Sequence, residues 1–163
     1  MGSAGRESGD RGLAQNDSPS RGGLARGGLA RAILRWLLAA LYLTAGLFHV
    51  ARPEPFLGIT PHWVPLPSTM VLLTGLAELA AVPALLQPWS KPLRRAAGIG
   101  LALYAVCVYP ANVNHMLIDL AKPDHGLGIA YHIPRLLAQP LIVWAALWGG
   151  DVIDWPWRRA RPQ

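Results

Sequence analysis

The chain has 163 residues, enough for one domain, and pairs 52% hydrophobic residues with only 15% charged ones, where a soluble domain carries about a quarter charged. Its single cysteine, Cys107, excludes an intrachain disulfide and any Cys-x-x-Cys dithiol chemistry within the chain. A net charge of +6 and a pI near 10.2 would suit nucleic acid, but the apolar residues form long blocks with the cations between them, which points to an integral membrane protein instead.

Residues 1–29 are rich in Gly, Ser, Arg and Asp and predict a disordered tail, since they cannot bury enough surface to offset ordering entropy. The repeat Arg21-Gly-Gly-Leu-Ala, Arg26-Gly-Gly-Leu-Ala within it is too short for a solenoid unit. Ala32–Val50 predicts a first span of 19 residues interrupted only by Arg35. It is long for a cleaved signal peptide, and no small-x-small site follows it. Five prolines (Pro53, Pro55, Pro61, Pro65, Pro67) then predict an ordered, non-helical cover.

Ser68–Leu86 predicts the second span, with Ser68 as its N-cap and Glu78 at its middle. After a basic turn over Gln87–Arg95, the third span is expected over Ala96–Leu120, with Cys107 as a buried structural thiol. That span closes on Tyr109-Pro-Ala-Asn-Val-Asn-His115, where Pro110 deprives the Val106 carbonyl of its donor and Asn112 and His115 share a face. A link rich in turn residues leads to the fourth span, Tyr131–Gly149, containing Arg135, Gln139 and Pro140. The expected fold is therefore all-α: a four-transmembrane-helix bundle over residues 30–150, with a disordered N-terminal tail and a basic tail over 151–163.

Twelve of the fifteen Lys and Arg lie on one side of these spans. The positive-inside rule then places both termini in the cytoplasm of a plasma (inner) membrane. Trp36, Trp89 and Trp148 would mark the inner interface and Trp63 the outer one. Gly98 with Ala102 and Ala77 with Ala81 form small-xxx-small pairs suited to close helix packing.

Ionisable groups inside a bilayer are costly and point to function. The expected polar network comprises Glu78, Asn112, Arg135, His49, His115 and Gln139, with Arg135 reaching towards Glu78. His49 also suits a helix cap, and His115 and His132 suit wet interfacial positions. No tight His-x₃-His spacing supports a haem or a metal, so neither is expected.

Several pieces in order resemble the DoxX family of small four-helix membrane proteins. They are Gly46-Leu-Phe-His49 with Pro53, Phe56, Pro61 and Pro65; Thr74-Gly-Leu-Ala-Glu78; Tyr109-Pro-Ala-Asn-Val113; and Arg135-Leu-Leu with Gln139. Relatives tend to read Arg-Leu-Pro-Leu-Gln at the last piece, whereas here the proline follows the glutamine. Some members of that family look like subunits of thiosulfate–quinone oxidoreductases. The resemblance implies an accessory or quinone-contacting subunit of a membrane redox system, not a stand-alone enzyme, with quinone as the candidate cofactor. The same polar pocket equally suits a small-molecule binding or transport protein, or an assembly chaperone. The expected partners are the lipid bilayer and a membrane or periplasmic redox protein, with a homo-oligomer left open and nucleic acid excluded.

Overall fold

The structure, a computed structural model, describes residues 21–155, with side chains from Gly27 onward. Most of the expected disordered tail, residues 1–20, and the end of the basic tail, 156–163, lie outside the described residues. Five helices follow in order: α1 (Arg21–Ala51), α2 (Glu54–Ile59), α3 (Pro67–Leu86), α4 (Lys91–Leu120) and α5 (Gly128–Gly149). No strand occurs among the described residues. α1 packs chiefly on α3 and α4 on α5, while α3–α4 and α1–α5 contacts close the ring.

Three stretches are long and apolar enough to cross a membrane: Gly27–Ala51, Pro67–Leu86 and Lys91–Leu120. α5 has the length, at 22 residues, but His132, Arg135, Gln139 and two prolines lower its hydropathy. The burial pattern agrees with lipid around the helices. Among the described residues, nine buried polar or charged side chains stand beside eleven buried apolar ones, while Leu37, Leu103 and Leu141 are each more than 60% exposed. Water would expel that surface; lipid solvates it.

Several local expectations are corrected. α1 begins at Arg21, so residues 21–29 continue the first helix. The proline-rich cover is partly helical, because Pro55 sits at the start of α2, where a missing N–H costs nothing. Ser68 is not a cap: α3 starts one residue earlier, at Pro67, behind Leu66 in the left-handed region (φ 47°). α4 starts at Lys91, capped by Ser90, whose hydroxyl accepts from Leu93 N, so Arg94 and Arg95 belong to a helix and not to a turn. Cys107 is exposed; it lies beside Val106 on the outer surface of α4, while Ala105 faces in. Trp148 is buried under Arg31, whose guanidinium lies 4.9 Å from the ring centroid, and is no interfacial anchor.

Two close approaches at glycines set the helix spacing. A Cβ at Gly75 would stand 2.7 Å from His49 Cβ, and one at Gly98 2.7 Å from the Ala146 carbonyl oxygen. Only glycine lets α1 approach α3, and α4 approach α5, this closely.

Candidate functional site

The polar side chains gather at three levels of the bundle. At the end holding the start of α1, Asp151 receives Arg31, Arg35 (2.6 Å) and Arg94 (3.1 Å). Arg95 Nε also donates to the Asp151 carbonyl at 3.0 Å. Local geometry aims this carboxylate. Val152 N donates to Leu147 O (2.9 Å) and Asp151 N to Trp148 O (3.2 Å), which is the Schellman pattern with Asp151 at the left-handed position (φ 61°) that glycine usually fills. In the sequence these arginines stand out only as a topology signal, and nothing there marks Asp151.

At the middle level stands Glu78, 2% exposed. The Gly75 approach brings His49 beside it, with Nδ1 2.9 Å from Glu78 Oε2. The same nitrogen is 2.9 Å from the Ala45 carbonyl. Nδ1 is thus shared between the Ala45 carbonyl and Oε2, which has this ion-pair neighbour but no well-aligned hydrogen bond. Phe56 of α2 stacks on His49 at 3.7 Å between centroids and covers it. A groove of about 410 Å³ opens between α3 and α4, walled by Ala77, Ala81, Ala84, Ala97 and Leu101, with Glu78 and Tyr104 also lining it.

Asn112 and Gln139 pair across α4 and α5: Asn112 Nδ2 donates to Gln139 Oε1 (3.2 Å) and Gln139 Nε2 to the Ala105 carbonyl (2.6 Å). That carbonyl is one residue before Val106, the one Pro110 leaves without its helical donor.

At the far end from Asp151, Asp119 is 2% exposed and collects three hydrogen-bond donors and one ion-pair neighbour. These are Lys122 Nζ (2.6 Å), His132 Nε2 (3.0 Å), Leu127 N (3.2 Å) and His115 Nε2 (3.4 Å). Arg135 donates to His115 Nδ1 at 3.0 Å, which leaves the proton of a neutral His115 on Nε2, facing Asp119. The hydrogen bond to Asp119 raises the Lys122 ammonium above its ordinary pKa. Gly126, at φ +54°, makes room: a Cβ there would lie 2.6 Å from Asp119 Cγ.

The six expected residues thus form three separate pairs: Glu78 with His49, Asn112 with Gln139, and His115 with Arg135. The expected reach of Arg135 to Glu78 is not made, because His115 and the Tyr131 ring (5.9 Å) hold Arg135 at the α4–α5 end. His132 is fully buried, not interfacial. Histidine spacing alone does not reveal a metal site, but Asp119 lies one turn after His115 and supplies a third candidate ligand. His115, Asp119 and His132 each offer a ligand atom, all within 4.8 Å of one another.

Comparison with protein families gives a match over residues 38–148 to a family described as a domain of unknown function (DUF8561). The DoxX resemblance is therefore corrected: its pieces are short, and glycines, prolines and lone intramembrane charges recur in unrelated helix bundles. The family basis for a redox accessory role goes with it. No curated protein and no solved structure matches the chain.

Proposed function

The chain belongs to the DUF8561 family, and from that premise we propose a four-span membrane protein that binds a small amphiphile from the lipid phase. α5 serves as the fourth span, and both termini face the cytoplasm of the plasma membrane.

One observation carries the binding role. The groove between α3 and α4 has small apolar walls and is lined by a buried carboxylate whose Oε2 lacks an aligned hydrogen bond. An acceptor served only by a shared, misaligned donor in a low-dielectric interior forfeits part of the about 1–3 kcal/mol that a fully unsatisfied one costs. A ligand head bearing O–H or N–H, as in an alcohol, a quinol or an amine, recovers that energy while its tail fills the alanine-walled groove. A quinone lacks the donor, so the reduced form fits better. Binding or carriage of such a molecule is the function, without chemistry by the chain itself.

Native mass spectrometry from mild detergent tests it. Wild type should carry one small molecule per chain, lost in Ala77→Leu, which fills the groove from an exposed wall position, and reduced in Glu78→Gln. Equal occupancy in all three proteins would remove the groove as the site.

A further inference from the structure

The Asp119 cluster is independent of the groove, and its chemistry is of another kind. We propose that His115, Asp119 and His132 form a binding site for a divalent transition metal of the Zn²⁺ type.

The donor set is two imidazoles and one carboxylate, a combination that suits Zn²⁺ with an open fourth position for water. Asp119 Oδ2 is 3.0 Å from His132 Nε2 and 3.4 Å from His115 Nε2. A tetrahedral ion with bonds of about 2.0–2.1 Å holds its ligands roughly 3.3 Å apart, so these two spacings already bracket the need. The three residues come from α4 and α5. Two of them are buried and fixed, whereas His115 is partly exposed and gives a way in from the α4–α5 link.

Binding balances without loss of a proton. Each neutral imidazole moves its proton from Nε2 to Nδ1, and Oδ2 exchanges the His132 hydrogen bond and the His115 contact for the metal. His132 Nδ1 has no hydrogen-bond partner, so the shift breaks no existing bond at that nitrogen, and the cost of its buried N–H is met by the metal bond. At His115 the new Nδ1–H faces Arg135, which must swing aside, with the Tyr131 ring within its reach. Lys122 holds the other carboxylate oxygen, Oδ1, at 2.6 Å. Its side chain is half exposed, so it repels the ion from the second coordination sphere and does not occupy the site.

That repulsion supplies a distinctive test. Full-length protein without a histidine tag, in detergent, is dialysed against ZnCl₂ and its metal content measured, and CoCl₂ is titrated in parallel by visible absorption. One equivalent of Zn²⁺ is expected, with the intense visible bands of four-coordinate Co²⁺. His115→Gln, at the least buried ligand, should weaken binding by more than about a hundredfold, since even outer-shell partners are worth 10–100-fold. Lys122→Gln should tighten it about tenfold by removing a unit charge next to the ion. Absence of stoichiometric Zn²⁺ from wild type overturns the proposal. So does undiminished binding in a folded His115→Gln protein, which would place the ion elsewhere. Groove occupancy stays unchanged in either variant, so this site and the amphiphile site stand or fall separately.

Discussion

Asp151 sits where a Schellman turn favours glycine, and replacing it with glycine sets two effects against each other. Asp151→Gly relieves a left-handed backbone, worth about 1–2 kcal/mol for an ordinary L-residue and less for Asp. It also strips the carboxylate from Arg31 and Arg94, both buried, and from Arg35. Removing one partner of a buried pair costs about 3–5 kcal/mol, because the remaining charge loses its compensation. The pair term wins, leaving a net loss of about 2–4 kcal/mol. Asp151→Asn keeps a residue that tolerates this conformation but loses the charge, and should cost at least as much. Thermal melts in detergent read the result: at roughly 2–4 °C per kcal/mol, Asp151→Gly should melt about 5–15 °C below wild type. A glycine variant as stable as wild type would show that backbone relief outweighs the arginine cluster and would refute the reasoning.

Gly126→Ala should destabilise by about 2 kcal/mol or more, since it adds left-handed strain and drives a methyl against Asp119 Cγ; an unchanged melt would mean the loop re-forms freely. In a double-mutant cycle on melts, Glu78→Gln with His49→Gln should couple by about 0.5–3 kcal/mol, whereas Glu78→Gln with Arg135→Gln should add within about 0.5 kcal/mol; the reverse pattern would restore the Glu78–Arg135 pair. Reporter fusions after residues 60, 89, 125 and 163 should read out, in, out, in, and any break in the alternation removes α5 as a span.

The helices were legible because lipid imposes long apolar runs, which a composition reading detects without contacts. Existence survived better than edges: Pro67 and Lys91 start helices that the sequence placed later, since capping depends on backbone geometry that residue type only biases. Glu78, Asn112 and Gln139 stood out as polar groups within apolar blocks, and all three are buried. Their partners were not legible, because pairing depends on the rotation and depth of each helix. His49 reaches Glu78 only because Gly75 lets α1 come close. Asp119 and Asp151 escaped notice because each lies at or just past a helix end, where a charge reads as solvated. The i,i+4 spacing of His115 and Asp119 was the available signal for the first; nothing local marked the second. Cys107 and Trp148 were assigned by residue type, and helix rotation put each on the opposite side.

The claim beneath all of this is that the outer surface of the helices faces lipid, and the chain's one cysteine reports on it without substitution. Cys107 is exposed, next to Val106 and one turn from Leu103 on α4. A nitroxide attached there, in protein reconstituted into lipid nanodiscs, should be mobile and relaxed far more by dissolved oxygen, which partitions into acyl chains, than by a water-soluble paramagnetic nickel chelate. Stronger relaxation by the chelate would put this face in water and contradict the account.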